Sequence, residues 1–424
     1  MNIQQKLIDA ATASRHLYIA PLDGLRFLAF LAVFFHHMPQ FTPSLFLTTA
    51  HNYGWVGVEL FFLISSFLFF HLLDAEYERA GSINIRNFYV RRLLRIYPLM
   101  IAFAVTMLAI YGNPDGNGYL RLAGLALFLD NAITCFRGYN LSSPTSHLWT
   151  LSFEFQIYLL IPFVFLAYRR FGKGAFLAGL VGVLVYCFLA RMLFFALDVK
   201  HPVVWVTPFL RPESVLAGMA LYVIRPRWHW GFSLVGSAVA ATLFLCLTDP
   251  WKSALGSAFS YPLAAVAFAG LVDSGLRAPW LASILSTWPM RYLGRISYGL
   301  YVFHYVLIVC SVRRATMMQG HAIDPANSAG DYWLLWLVAL TLTIAAASVS
   351  YYAFEKWIAR FKRRFESQWN AINLTPASAR PAQVDPPDLR TAARYIRIAA
   401  LNFSQVSNQS GSLSRTGGKP NSAK

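Results

Sequence analysis

The sequence is poor in charge and in cysteine. Aspartate, glutamate, lysine and arginine together make up only 13% of its 424 residues, about half the share found in soluble globular proteins. Its four cysteines are scattered among apolar segments, and none forms a Cys-x-x-Cys pair. Neither a disulfide framework nor a zinc site is therefore expected, and we predict no bound metal.

Apolar residues take the place of the missing charge. Hydrophobic residues make up 57% of the chain, and the mean hydropathy is +0.46. Several stretches, such as residues 230–247 and 333–352, run for nearly 20 residues with almost no charge, which is the length that a helix needs to cross a bilayer. We therefore predict an all-α, polytopic membrane helix bundle.

The positions of these stretches predict about ten transmembrane helices. Segment 119–133 is left out of the count because it holds Arg121 and Asp130 and is short for a span. We predict that this segment is re-entrant or lies at the surface. The ten predicted spans are residues 24–38, 54–73, 96–111, 148–168, 174–196, 203–224, 230–247, 255–272, 292–312 and 332–354.

The charges that remain are mostly basic. Lysine and arginine number 36 against 19 aspartates and glutamates, which gives a net charge of +17. When the N-terminus is placed inside, the predicted inner loops collect most of the basic residues, as is typical of cytoplasmic loops. No basic face interleaved with exposed aromatic residues occurs, so nucleic-acid binding is not expected.

Composition divides the chain into three parts. Residues 1–20 are polar, carry no pattern of a cleavable signal and are predicted to be a cytoplasmic segment. Residues 21–358 form the predicted membrane domain. Residues 365–424 are dominated by proline, serine, asparagine, alanine and glycine, which predicts a disordered cytoplasmic tail.

Two ionisable residues of the first predicted span are candidate site residues. A charge at the centre of a spanning helix costs about 2.5 kcal/mol or more, so it is expected to face a cavity or a partner. Arg26 and His37 are 11 residues apart, close to three turns, so both project from one face about 16 Å apart along the axis. Arginine suits phosphate or carboxyl oxygens, and a neutral imidazole suits proton transfer. The alternative is that Arg26 snorkels to the inner interface while His37 lies at the outer one.

The second predicted span contains a carboxylate, Glu59. A carboxylate inside a span needs a partner, and we expect Arg26 or His37 to supply it. A Glu59 that lies at the outer interface is the alternative. Gly54 and Gly57 next to it predict a close approach between two helices.

Segment 86–98 places a cluster of arginines at the predicted inner face of the membrane. Arg92 and Arg95 lie about one helical turn apart, with Arg91 beside them and aromatic residues nearby. Such a cluster suits a phosphorylated ligand that is bound bidentately. An ordinary positive-inside anchor is the competing interpretation.

The remaining candidates belong to later spans. His147 and Glu154 are 7 residues apart and share a helix face, where Glu154 could orient an imidazole or accept a hydroxyl proton. Arg211 either forms a structural ion pair or binds ligand. His304 and Glu355 are isolated ionisable groups, for which a purely structural role is the alternative.

Six motifs occur in the order and with the spacing of the acyltransferase 3 family of polytopic membrane acyltransferases, which the chain resembles over residues 18–356. The most specific motif is LDGLR, then ten residues, then histidine, which gives Arg26 and His37. One departure is Glu59, which stands where the family usually has aspartate. The other motifs are GWVGVELFFLISSF, FYVRRLLRIYP, HLWTLSFEFQIY, LGRISYGLYVFH and YYAFEKW.

The resemblance implies that an acyl-CoA, commonly acetyl-CoA, donates its acyl group to a hydroxyl of a cell-surface glycan or another exported acceptor. It also implies a multi-pass protein of a bacterial inner membrane, without a permanently bound cofactor. Direct transfer and an acyl-histidine intermediate fit equally well. The site residues assigned in this way are His37, Arg26, Glu59 and Glu154 for catalysis, Arg92, Arg95 and Arg91 for acyl-CoA, and His147, Arg211, His304 and Glu355 for support.

A transporter or flippase for a glycan or an anionic solute is the alternative function. Charges inside the membrane fit that class as well. A transporter would move its substrate without a covalent change, and many transporters are built from inverted repeats, which the sequence does not show.

Overall fold

The computed structural model describes residues 18–113, 116–138, 144–199, 201–247, 253–319 and 328–362. Within these ranges the chain forms helices and no β-strand, so the predicted all-α class is confirmed. The helices are α1 Ala20–His37, α2 Leu45–Tyr53, α3 Gly57–Ala80, α4 Ile85–Tyr111, α5 Gly118–Ala126, α6 Asp130–Arg137, α7 Trp149–Ala196, α8 Val203–Val206, α9 Glu213–Ile224, α10 Trp230–Leu247, α11 Ala254–Arg277, α12 Pro279–Leu285, α13 Trp288–Arg295, α14 Ser297–Gln319, α15 Ala329–Ser350 and α16 Lys356–Lys362.

Short helical turns join some of these helices. They are the 3-10 turns Gly54–Val56 and Ser146–Leu148 and the π-helical turn Tyr351–Glu355. The predictions for the polar segment 1–20, apart from its last three residues, and for the tail 365–424 lie outside the described residues.

Several helices are long and apolar enough to cross a membrane, which makes the chain a membrane protein. In the described chain five helical stretches meet this requirement, or six if α13 and the first part of α14, bent by 72° at their junction, count as one span. The five are Leu45–Ala80, Ile85–Tyr111, Ser146–Ala196, Ala254–Arg277 and Ala329–Arg360.

The predicted number of about ten spans stays a prediction, because some predicted spans are broken or short. Predicted span 203–224 is split into α8 and α9, and α9 has only 12 residues. Two other predicted spans, 148–168 and 174–196, fall on the long element α7. Gly172 separates them, since its φ of 80° and ψ of 175° lie outside the helical region.

Segment 119–133 forms two short helices instead of one span. Helix α5 ends just before Phe128, whose φ of 56° is left-handed, and α6 then begins at Asp130. Arg121 is buried and donates to Asp130 at 3.2 Å and to Thr134 at 3.0 Å, which joins the two helices. This arrangement agrees with the prediction that the segment does not cross as a single helix.

Polar side chains define several helix starts. Asn84 precedes α4, and its side chain accepts a hydrogen bond from the backbone N–H of Asn87 at 2.8 Å. Ser253 caps α11 in the same way through Gly256 at 2.9 Å. Each of these bonds satisfies one of the backbone donors that the first turn of a helix leaves open. Gly81 ends α3 with a φ of 66°, a left-handed conformation that glycine adopts without strain.

The first helix packs closely against the start of α3. A Cβ atom added to Gly54 would contact the carbonyl oxygen of Ala32, and one added to Gly57 would contact the carbonyl oxygen of Ala29. The close approach that these glycines predict is therefore confirmed. Because α1 also contacts α11, α12, α13 and α14, the candidate residues on α1 lie inside the bundle.

We expect Gly57→Ala to destabilise the protein by about 1–3 kcal/mol, because the new methyl group would overlap the carbonyl oxygen of Ala29. Gly236→Ala on α10 is the matched control, since no atom lies within 4 Å of a Cβ added there and alanine favours the helix. Thermal unfolding of both variants in detergent, followed by circular dichroism, measures the difference. Equal unfolding midpoints would contradict the close packing of α1 on α3.

Candidate active site

A small cavity lies where five helices meet, and most of the predicted arginines line it. Its volume is about 70 Å³. Helices α1, α3, α4, α7 and α14 contribute its walls. The lining residues are Arg26, Val58, Phe61, Phe62, Ser65, Arg92, Arg95, Ile96, Thr150, Leu151, Glu154, Tyr158, Ser297, Tyr298 and Tyr301.

The cavity is positively charged, because three arginines face a single glutamate. Arg26 pairs with Asp23 at 3.1 Å, one turn earlier on α1. Arg92 is only 5% exposed, and its guanidinium carbon lies 3.9 Å from the centre of the Phe69 ring. Arg95 is exposed. Among the described residues neither Arg92 nor Arg95 has a carboxylate within ion-pair distance, so an anionic ligand would compensate their charge.

Glu154 is the carboxylate of the cavity. Its Oε1 accepts hydrogen bonds from the hydroxyl of Tyr158, one turn later on α7, and from Ser65 on α3 at 3.4 Å. The structure therefore brings Glu154 together with Arg26 of α1 and with Arg92 and Arg95 of α4, although Glu154 is far from all three in the sequence.

The histidines form a second group next to the cavity. His37 does not belong to the cavity lining; its Nδ1 lies 3.2 Å from Nε2 of His304. The ring centre of His147 lies 5.0 Å from that of His304 and 6.5 Å from that of His37. His147 and His304 are fully or almost fully buried. We call His37, His147 and His304 the imidazole cluster.

Tyr301 joins the cavity to the imidazole cluster. Its side chain lines the cavity, and its hydroxyl lies 2.5 Å from the hydroxyl of Thr150 and donates to the carbonyl oxygen of His147 at 3.0 Å. Its own carbonyl oxygen lies 2.6 Å from Nδ1 of His304. One residue thus contacts both halves of the site.

Glu59 does not pair as expected. It lies at the start of α3, where it forms an ion pair with Arg211, and neither Arg26 nor His37 is its partner. The Arg211 guanidinium carbon lies 3.8 Å from the ring centre of Trp205 and 4.8 Å from that of Phe153. Both charged side chains are essentially inaccessible, because aromatic rings enclose the pair. The predicted pairing of Glu59 with Arg26 or His37 is therefore wrong, and Arg211 fits the structural alternative.

A second buried ion pair joins α7 to α9. Arg191 on α7 lies 2.5 Å from Glu213 at the start of α9, and both side chains are almost fully buried. Arg191 also donates to the carbonyl oxygens of Leu210 and Ala258, at 2.6 and 3.2 Å. The pair therefore ties α7 to the segment before α9 and to α11.

Two other predicted residues lie apart from the cavity lining. Arg91 pairs with Glu76 at 3.3 Å. Glu355 closes the π-helical turn, where its Oε1 accepts a hydrogen bond from Ser350 at 3.2 Å. Glu355 nevertheless packs near the start of α14, since its Oε1 would lie 3.2 Å from a Cβ added to Gly299.

The sequence did not single out the tyrosines of the site. Tyr158 follows Glu154 by four residues and Tyr301 precedes His304 by three, so each shares a helix face with a predicted residue. That spacing is the signal that could have identified them. Within the described ranges no group of three or more histidine, cysteine, aspartate or glutamate side chains could hold a metal ion.

Comparison with known sequences gives a consistent result. The family described as "Acyltransferase domain" matches residues 19–354. "Putative peptidoglycan O-acetyltransferase YrhL" of Bacillus subtilis (strain 168) is 28% identical over 371 residues, which cover 80% of this chain and 55% of that protein. "Peptidoglycan O-acetyltransferase OatA" of Listeria monocytogenes is 24% identical over 323 residues, which cover 69% of this chain and 49% of that protein.

The chain thus spans about half the length of these relatives. No solved structure matches it significantly.

Removing Arg211 leaves Glu59 buried without its partner, so we expect Arg211→Ala to lower the free energy of unfolding by about 3–5 kcal/mol. The double variant Glu59→Leu, Arg211→Met removes both charges and should recover most of that loss. Thermal unfolding in detergent compares the two. A double variant no more stable than Arg211→Ala would show that the unpaired carboxylate is not the cause.

Proposed function

The chain belongs to the acyltransferase 3 family, and from this premise we propose that it moves an acetyl group from acetyl-CoA to a hydroxyl of a cell-wall glycan. The two relatives are named "Putative peptidoglycan O-acetyltransferase" and "Peptidoglycan O-acetyltransferase", and these names support the acceptor class. We further propose that the protein works in the bacterial inner membrane. The observation that carries the proposal is the cavity in which a buried Arg92 lacks a carboxylate partner among the described residues.

The arginines are the proposed donor site. Arg92 and Arg95 would bind phosphate oxygens of the donor, because a guanidinium offers several donors in a fixed plane. Arg26 lines the same cavity, together with Glu154. A volume of about 70 Å³ suits the phosphate-bearing part of the donor and not a whole coenzyme. The nucleotide would extend outward past the exposed Arg95, and the pantetheine arm would extend from Arg26 towards His37.

His37 is the proposed base. The acceptor hydroxyl gives its proton to the imidazole of His37 while its oxygen forms a bond to the acyl carbon. The bond from that carbon to the sulfur of the thioester breaks, and the thiolate then takes the proton from His37. Arg26 and His37 lie 11 residues apart on α1, about 16 Å along the axis, a separation that the long pantetheine arm of the donor would bridge.

The remaining predicted residues support this arrangement. Glu154 would hold the hydroxyl of Tyr158 and limit the positive charge of the cavity. The rings of His147 and His304 lie next to the ring of His37. Glu59 and Arg211 would stabilise the neighbouring layer of helices, since they pair with each other.

We expect Arg92→Gln to raise the KM for acetyl-CoA about tenfold or more, because a charge-assisted contact with the donor is lost. Arg86→Gln is the control, since Arg86 lies on the same helix but is exposed and does not line the cavity. Initial rates of CoA release at varied acetyl-CoA concentration give both constants. A KM for Arg92→Gln equal to that of Arg86→Gln would contradict the donor site.

His37→Ala should lower the rate of acetyl transfer by about 10²- to 10⁴-fold, the usual contribution of general acid–base catalysis. Purified protein is incubated with labelled acetyl-CoA and a glycan acceptor, and released CoA and acetylated product are measured. Detergent-solubilised variants are first compared by size exclusion and circular dichroism to establish correct folding. A folded and fully active His37→Ala protein would remove His37 from the chemistry. Movement of a glycan across vesicles containing the wild-type protein, without CoA release, would instead favour a transporter.

A further inference from the structure

The hydrogen-bond acceptors around His304 determine which of its ring nitrogens carries a proton. Nδ1 of His304 lies 2.6 Å from the carbonyl oxygen of Tyr301. A carbonyl oxygen accepts hydrogen bonds and cannot donate them, so Nδ1 is the protonated nitrogen. In the neutral ring Nε2 then holds a lone pair.

His37 has a similar hydrogen-bond acceptor. Its Nδ1 lies 3.0 Å from the carbonyl oxygen of Val33, so this nitrogen carries a proton as well. Nε2 of His304 lies 3.2 Å from the same Nδ1. The two contacts are compatible if the N–H of His37 is shared between the carbonyl oxygen and the lone pair of His304. A protonated His304 would instead place one N–H group against another.

No carboxylate takes part in this arrangement within the described part of the chain. The titratable groups around His37 are His36 on its own helix, His51 on α2, His147 in the 3-10 turn, and His304 and Tyr305 on α14. Glu59 and Glu154, the carboxylates expected to orient the imidazole, pair with Arg211 and with Tyr158 respectively.

We propose that His304 is the positioning residue of the proposed base: its neutral Nε2 accepts from Nδ1–H of His37 and thereby leaves Nε2 of His37 free for the acceptor hydroxyl. This inference rests on the proposed function of His37. Tyr301 completes it, because its carbonyl oxygen fixes the orientation of His304 and its side chain lines the donor cavity. The orienting group is an imidazole where many hydrolases and transferases use a carboxylate.

The contact strengthens as the reaction proceeds. When Nε2 of His37 takes the hydroxyl proton, the ring becomes a cation, and its Nδ1–H bond to His304 becomes charge-assisted. An interaction that is stronger in the transition state than in the ground state accelerates the chemical step. The effect is therefore expected on kcat, with little change in the KM of either substrate.

His304→Leu removes the acceptor but keeps an apolar side chain of similar size, whereas His304→Gln can place an amide oxygen near the position of Nε2. We expect kcat to fall about 10- to 100-fold in His304→Leu with both KM values within about twofold, and to recover at least about fivefold in His304→Gln. His36→Gln is the control and should keep kcat within about twofold, since His36 contacts the carbonyl oxygen of His51 and donates nothing to His37. Equal loss in the Leu and Gln variants, or unchanged kcat in both, would overturn the role of His304.

A measurement independent of activity separates this inference from the proposed function. Solid-state ¹⁵N NMR of protein labelled at its 10 histidines reports whether each ring nitrogen is protonated, and His304→Leu identifies the His304 signals. We expect an unprotonated Nε2 of His304 whose resonance shifts when His37→Ala removes its donor. No shift would overturn the proposed contact. A wild-type protein that shows this shift but transfers no acetyl group would instead overturn the proposed function of the site.

Discussion

A charged side chain buried among apolar helices must be compensated by an opposite charge or by a ligand. This requirement accounts for the partners of the buried arginines. Arg191 and Arg211 obey it through Glu213 and Glu59. Arg121 obeys it as well, through Asp130. Arg92 is equally enclosed, but among the described residues it has aromatic rings and no carboxylate beside it. The buried arginines of the described residues thus divide into three that form ion pairs and one, Arg92, that is suited to an external anion.

The two parts of the proposed site meet at α14. Tyr301 contributes its side chain to the cavity and its carbonyl oxygen to His304, while Val302 offers its carbonyl oxygen to Nε2 of His147. A single turn of helix therefore fixes the wall of the donor cavity and the orientation of two imidazoles. Any displacement of this turn would change donor binding and proton transfer together.

Local sequence patterns predicted the helical class, the close contact at Gly54 and Gly57 and the arginines of the cavity, because each follows from hydropathy or from spacing along one helix. Pairing across helices was not predictable in the same way. The partner of Glu59 is 152 residues away at Arg211, and no periodicity within one segment connects them. The same limit explains why His304, an isolated histidine in its span, showed no sign of its contact with His37.

The choice of a neutral acceptor beside His37 follows from its surroundings. A carboxylate beside His37 would raise the affinity of its imidazole for a proton, so a smaller share of the base would carry the lone pair that proton abstraction requires. A second imidazole, whose tautomer is fixed by the carbonyl oxygen of Tyr301, orients the ring without adding a charge. It then shares the positive charge once His37 takes a proton. Glu59 and Glu154 are held by Arg211 and Tyr158 instead, so neither adds a negative charge beside His37.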